Sequence, residues 1–147
     1  MPAPFQTQRD LRDAALRVTR PRVAVLEAVR ALDHADTAAI ADRVRAGVDV
    51  SQQAVYDVLA VLTEARLIRR IDPPGSVARY ESRVADNHHH VVCRSCGAIA
   101  DVDCAVGEAP CLTPHDHHDF AIDEAEVVFW GVCPSCQQEK GPRVLHR

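Results

Sequence analysis

Three features of this 147-residue sequence predict an α+β chain in two domains. Residues 1–83 read as capped, amphipathic helices followed by a strand, a tight turn and a second strand. Residues 84–147 are mostly strand, and they carry two C-x-x-C pairs, Cys93-Arg94-Ser95-Cys96 and Cys133-Pro134-Ser135-Cys136. A domain that short buries only a thin core, so a metal staple is expected, and four thiolates in two knuckles make the tetrahedral cage that suits zinc. The expected architecture is therefore an N-terminal winged helix-turn-helix domain (1–83) followed by a small α/β dimerisation domain (84–147) with a four-cysteine zinc site.

In chain order, Leu11 to Val18 is apolar at three- and four-residue spacing and predicts a short first helix. Thr19 reads as the N-cap of a second helix, with Pro21 in the first turn where its missing N–H costs nothing. His34 follows that helix in a loop. Thr37 reads as the cap of a third, in which Ile40, Ala41 and Val44 face inward and which Gly47 stops. Ser51 caps the fourth, residues 52–65, whose buried stripe is Val55, Val58, Leu59 and Leu62. Its outer face shows Gln52, Gln53, Tyr56 and Asp57, groups able to read base edges or phosphates from a helix lying in a major groove.

Residues 67–71, the turn Asp72-Pro73-Pro74-Gly75-Ser76 and residues 77–80 then form a hairpin. Helices followed by a hairpin make a winged helix-turn-helix, with Arg69, Arg70 and Arg79 in or near the wing. An ordinary helical domain with a polar surface helix is the plainer reading. Charge separates the halves: residues 1–83 hold thirteen arginines and eleven acids, for +2, against −6 for residues 84–147. Arginine concentrated in the first half fits an anionic partner, and solvated helix faces fit it too.

In the second half, His90 to Cys93, Ala98 to Asp103 and Ala121 to Trp130 read as strands, and Cys104 to Thr113 as a short helical segment. The run Val127 to Trp130 is apolar enough to need cover on both faces, which points to a second subunit. His88, His89 and His90 cannot join a cage that four thiolates already close, so they imply a second metal. His89, between the other two on a strand, should point away from them. Cys104 and Cys111 are left over; they read either as a reversible thiol switch, if their Cα atoms come within about 7 Å, or as small buried apolar side chains. No apolar run approaches the about 18 residues of a membrane span and the first ten residues are polar, so a cytoplasmic protein is expected, with its cysteines as ligands or sensors rather than structural disulfides.

The two halves together resemble the ferric uptake regulator (Fur) family of bacterial metal-dependent DNA-binding repressors. The resemblance rests on Arg17-Val18-Thr19-Arg20-Pro21-Arg22, on Val50-Ser51-Gln52-Gln53-Ala54-Val55-Tyr56 with Leu59, and on Arg79-Tyr80-Glu81. It continues through His88-His89-His90-Val91-Val92-Cys93-Arg94-Ser95-Cys96-Gly97, Asp101 and Cys133-Pro134-Ser135-Cys136. Residues 76–83 and 86–111 look closest to the actinobacterial FurA/CatR-type repressors of catalase-peroxidase genes, similar in role to the peroxide-sensing PerR-like branch.

Carried over by position, the resemblance makes Cys93, Cys96, Cys133 and Cys136 the structural Zn²⁺ site. It makes His34, Glu81, His88, His90 and Asp101 a regulatory site for Fe²⁺ or Mn²⁺, with His34 and His88 as the imidazoles that peroxide oxidises. Arg17, Arg20, Ser51, Gln52, Gln53, Tyr56, Arg69 and Arg70 become the DNA-binding residues. Asp57 departs from the basic residue many members carry there. Some members hold a further metal on ligands near His89, Glu108 and a later strand; here Asn87 and Ala125 stand at two of those positions, so Glu108 with His117 or His118 as substitutes are the candidates, and a solvated loop is the other reading of His115 to His118.

The implied function is a homodimeric repressor on double-stranded operator DNA that senses hydrogen peroxide and controls catalase-peroxidase and other oxidative-stress genes. A thiol-disulfide sensor, a plain iron-responsive repressor and a small metalloenzyme are the alternatives. Enzyme chemistry is the weakest of these, because no H-E-x-x-H motif, phosphate loop or nucleophile elbow is present.

Overall fold

Capping decides where the helices of the first half begin. In the computed structural model, which describes residues 4–104 and 110–140, helix α1 spans Pro4–Asp13, α2 Arg20–Ala31, α3 Thr37–Arg45 and α4 Gln52–Glu64. The Thr19 hydroxyl accepts from the Arg22 N–H and the Ser51 hydroxyl from the Ala54 N–H, as expected of both residues. At α3 the cap is Asp36 rather than Thr37: its carboxylate accepts from the Ala39 N–H at 2.8 Å. An anion at the positive end of a helix adds to the cap, which is why the acid takes the position.

The first helix also differs from expectation. It starts about two turns earlier and ends at Asp13, because Ala15 turns left-handed (φ 58°) and the Leu16 N–H returns to the Leu11 carbonyl at 2.9 Å. The same closure ends α4, where Arg66 is left-handed (φ 60°) and the Leu67 N–H reaches the Leu62 carbonyl. In both, a leucine beyond the helix is placed near a buried leucine of the last turns.

The chain divides into two compact units, Met1–Ala85 and Asp86–Arg147. In the first, Leu11, Val25, Leu26, Val29, Ile40, Val44, Val55, Leu59, Leu62, Ile68 and Tyr80 form the core. Fully burying an aliphatic side chain of this kind stabilises by about 1.5–3 kcal/mol, so this cluster holds the helices together. Strands β2 (Arg69–Ile71) and β3 (Arg79–Glu81) pair antiparallel as the expected wing hairpin, with Arg70 opposite Tyr80. A two-residue strand β1 (Ala35–Asp36), absent from the sequence reading, joins the other edge of β3.

In the second unit, β4 (His88–Cys93) is the central strand, antiparallel to β5 (Ile99–Asp103) and parallel to β6 (Val128–Gly131). The strand expected from Ala121 is therefore shorter: residues 121–127 lie outside it. The acids Asp123, Glu124 and Glu126 break the apolar alternation there, and only the run after Val127 can lie beside a buried strand. A short helix α5 (Pro134–Lys140) follows, opened by a proline in the first turn. Of the helix expected at Cys104 to Thr113, residues 105–109 lie outside the described ones, and the described residues on either side are not helical. Among the described residues, no helix is long and apolar enough to cross a membrane.

Helix α1 is tied to α2 by Arg30, which donates to the Thr7 hydroxyl at 3.2 Å and to the Asp10 carboxylate at 2.6 Å. Partial burial works against ionisation of Asp10, but hydrogen bonds from Arg30 and Gln6 and the charges of Arg30 and Arg9 outweigh it and hold the carboxyl below its ordinary value. Because the folded value is the lower one, this stabilisation is present above the unfolded value of about 3.9 and is lost as pH falls through the folded one. The substitution Asp10→Asn is expected to cost about 1 kcal/mol at neutral pH and nothing in strong acid, read from urea denaturation at several pH values.

Candidate metal centres

Two features of the backbone bring the cysteines together. Cys93 ends β4, and the knuckle after it closes with the Cys93 N–H on the Ala98 carbonyl (2.8 Å) and the Gly97 N–H on the Cys93 carbonyl (3.0 Å), with Gly97 left-handed at φ 77°. The parallel register of β6 sets Gly131 beside Cys93, so Cys133 arrives two residues later at the same end of the sheet. Its N–H points at the Cys93 Sγ at 3.3 Å. Cys136 then comes from the first turn of α5.

All four Sγ atoms lie within 4.8 Å of one another, and those of Cys96 and Cys133 are 3.7 Å apart. Four thiolates about 2.3 Å from a tetrahedral zinc sit about 3.8 Å from each other, so the spacing fits the ion. Electrostatics agree. The backbone N–H groups of Cys133, Cys96 and Ser95, with a contact from the Cys96 thiol, bring the Cys93 thiol down to about 6. For Cys136 the Ser95 hydroxyl favours the thiolate, but crowding by the Cys133, Cys96 and Cys93 sulfurs together with burial prevails and pushes it up to about 12. A cluster in which one sulfur ionises readily and another is held back by its neighbours calls for a countercharge, which a dication supplies.

The imidazoles and carboxylates fall into one group in each unit. In the first, His34 Nε2 stands 3.3 Å from Glu81 Oε2, both residues buried. Strand β1 makes this possible: pairing Ala35 with Tyr80 sets His34 beside Glu81, and Arg79 donates to the His34 carbonyl at 3.1 Å. His34 itself is left-handed, with φ 52°, a conformation that costs a β-carbon residue energy and that the surrounding pairing must hold.

In the second unit His90 lies opposite Asp101 across β4 and β5, and His88 is the next residue on the same face. Their Nε2 atoms are 3.4 and 3.6 Å from Asp101 Oδ1, and the two rings meet edge to face with centroids 4.9 Å apart. Asp86 Oδ1 sits 2.6 Å from His88 Nδ1. A carboxylate there holds the proton on Nδ1 and leaves the Nε2 lone pair for a metal, the usual outer support of an imidazole ligand. Sequence reading missed Asp86, although an acid two residues before a ligand-type histidine was the available signal.

His89 points to the opposite face, as the strand alternation required. There its Nε2 lies 3.0 Å from Cys111 Sγ, and Cys104 Sγ joins them, all three donor atoms within 4.8 Å. Burial pushes the Cys111 thiol up from its ordinary value, and neighbouring Cys104 adds to this. The six cysteines are all thiols. His117 and His118 are exposed; His118 is turned toward Asp116, at 3.5 Å, and neither falls in a close donor group among the described residues. Glu108 lies outside the described residues.

On α4 the outward side chains are linked four residues apart. Gln52 Nε2 donates to the Tyr56 hydroxyl at 2.7 Å, and Gln53 Nε2 to Asp57 at 3.0 Å, so they stand as an exposed, pre-ordered polar row. The Ser51 hydroxyl is spent as the cap. Arg17 and Arg20 are exposed at the entry to α2, with the Arg17 carbonyl accepting from Arg22. On the wing Arg70 is exposed beside Asp72 at 3.0 Å, whose hydrogen bond and charge raise its pKa, and Arg69 is half-buried.

Comparison with known proteins gives the family and the fold. The model of the ferric uptake regulator family matches residues 13–129. The chain is 72% identical over 127 residues to the transcriptional regulator FurA of Mycobacterium tuberculosis, covering 86% of each chain. It is 64% identical over 133 residues to ferric uptake regulation protein 2 of Mycolicibacterium fortuitum, covering 88% of this chain and 91% of that one. A structure of the ferric uptake regulator from Pseudomonas aeruginosa with manganese superposes with a TM-score of 0.66 at 25% identity, covering 87% of this chain and 98% of that one. These relatives are named as regulators, which removes the metalloenzyme reading. A helical winged unit, a small sheet unit with a four-thiol cluster and a family match across both place the chain in the ferric uptake regulator family, as a metal-dependent transcriptional regulator.

Proposed function

We propose that this chain is a homodimeric, cytoplasmic repressor that binds double-stranded operator DNA when His34, Glu81, His88, His90 and Asp101 hold Fe²⁺ or Mn²⁺, and that hydrogen peroxide releases it by oxidising His34 or His88. The observation that carries this reading is the pairing of buried imidazole with carboxylate in both units, His34 with Glu81 and His88 and His90 with Asp101. Three imidazoles and two carboxylates form a harder donor set than a thiolate cage and suit Fe²⁺ or Mn²⁺. The ferric uptake names of the relatives support iron, and the manganese in the Pseudomonas protein supports the substitute. Cys93, Cys96, Cys133 and Cys136 take Zn²⁺ as a structural ion.

The residues then have distinct tasks. Gln52, Gln53 and Tyr56 on α4 face the major groove, Ser51 keeps the start of that helix in place, and Arg17, Arg20, Arg69 and Arg70 neutralise phosphates around it. Metal binding would select the arrangement of reader heads that fits two successive half-sites. Phe129 and Trp130, exposed on strand β6, supply apolar surface for a second copy. Iron held by these residues would supply the reduction of hydrogen peroxide to water, with one peroxide oxygen passing to His34 or His88 and leaving that imidazole unable to serve as a ligand. The resemblance to the FurA/CatR-type repressors points to catalase-peroxidase and other oxidative-stress genes as targets.

Two measurements check this reading. Binding to the DNA upstream of its own gene is measured for the Fe²⁺ and Mn²⁺ forms before and after a low dose of peroxide, and again after thiol reductant. The iron form alone is expected to let go, reductant is expected not to restore it, and mass spectrometry is expected to find added oxygen on His34 or His88. Release of both forms with recovery on reduction would instead make sulfur the sensor, with Cys104 and Cys111 as the switch. Separately, Asp86→Asn is expected to weaken Mn²⁺ binding by about 10–100-fold while leaving the circular dichroism unchanged, because it removes only the outer support of His88.

A further inference from the structure

We propose that His89, Cys104 and Cys111 form a further metal site, for a thiophilic cation of the Zn²⁺ class, separate from both the four-cysteine cluster and the His88–His90–Asp101 group.

The strand register builds it. His89 is opposite Val102, so the pleat that sends His88 and His90 to one side sends His89 and Val102 to the other. Cys104 follows Val102 by two residues and, one step past the end of β5, keeps to that side. Cys111 returns from the chain beyond and sets its sulfur 3.0 Å from His89 Nε2. The imidazole is 5% exposed, and the three donor atoms lie within 4.8 Å of each other. Donors about 2.3 Å (sulfur) and about 2.0–2.1 Å (nitrogen) from one tetrahedral zinc lie about 3.5–3.8 Å apart, so the ion asks for adjustments of about 1 Å.

Chemistry separates this site from the other two. A thiol is a weak hydrogen-bond partner for a buried imidazole, whereas two thiolates and an imidazole are a strong donor set for zinc. Sulfur donors favour Zn²⁺ over Fe²⁺ and Mn²⁺, so the two faces of one strand would sort cations by hardness. Binding is balanced by release of two protons, one from each thiol, while neutral His89 keeps its proton on Nδ1. Three protein ligands leave one tetrahedral position for water. The ion would pin the chain around Cys111 to the sheet.

The test uses the full chain, reduced and with its four-cysteine site loaded with zinc, titrated with Co²⁺ alone as a spectroscopic stand-in for Zn²⁺. A thiolate-to-cobalt charge-transfer band is expected to saturate at about one equivalent per chain. In Cys104→Ser/Cys111→Ser the band is expected to vanish and the affinity to fall by more than the about 10–100-fold that loss of an outer-shell partner costs. The imidazole–carboxylate ligands produce no such band and neither DNA nor iron is present, so the result stands apart from the peroxide reading.

A second measurement needs no variant. Zn²⁺ is expected to slow alkylation of Cys104 and Cys111 in the native protein. Absence of the band, an equal band in the double variant, or alkylation at the same rate with and without Zn²⁺ would each overturn the proposal. So would a Cys104–Cys111 disulfide that forms equally fast with Zn²⁺ present, which would make the pair a thiol switch.

Discussion

Strand β4 is hydrogen-bonded on both edges, and that ladder decides where the metal-capable side chains of the second unit point. A strand has only two faces, and moving the pairing by one residue would exchange them. The antiparallel partner puts Asp101 across from His90; the parallel partner puts Gly131 beside Cys93 and so delivers the second knuckle. Three kinds of donor group thus follow from one register: thiols at the end of the strand, imidazoles with a carboxylate on one face, and imidazole with thiols on the other.

The first unit solves a different problem, that of holding an exposed polar helix steady. Its apolar cluster buries one face of α4 through Val55, Leu59 and Leu62, and the Ser51 cap fixes the end from which Gln52 and Gln53 project. The pairing of β1 with β3 keeps His34 in a left-handed backbone that an isolated loop would rarely adopt. The strain there is local and is held by Arg79, whose side chain grips the His34 carbonyl.

Much of this was legible in the residues, and the reasons differ by element. Helices α2 and α4 announce themselves through local chemistry, a hydroxyl cap and an apolar period, and the thiol cluster through two repeats of one spacing. Asp36 displaced Thr37 as a cap because two suitable residues stand side by side, and the stronger acceptor at a helix dipole took the position. Strand β1 could not be read from two residues, since its existence depends on β3, some forty-five positions away. The stretch at 121–127 has strand-like alanine, isoleucine and valine but too many acids to lie beside β4. His89 was legible as pointing away from its neighbours; what it would meet there was not, because Cys104 and Cys111 reach it through tertiary structure alone.

The parallel pairing of β6 with β4 also sets an order of assembly. Cys93 and Cys96 are joined by a single turn, whereas Cys133 meets Cys93 across forty residues of chain. Closing a loop of that length costs about 3 kcal/mol of chain entropy beyond a fixed term, so the second knuckle is a late event in folding. On a ribosome adding about 5–20 residues per second, the first pair of thiols stands alone for about 2–8 seconds before the second is made. During that interval the half-cage is a two-thiolate chelator with open positions, and the central strand of the unit still lacks one neighbour. The segment that carries β6 and the second knuckle thus has to arrive before the sheet can close, and a nascent protein stopped short of it exposes the edge of β4, the buried central strand.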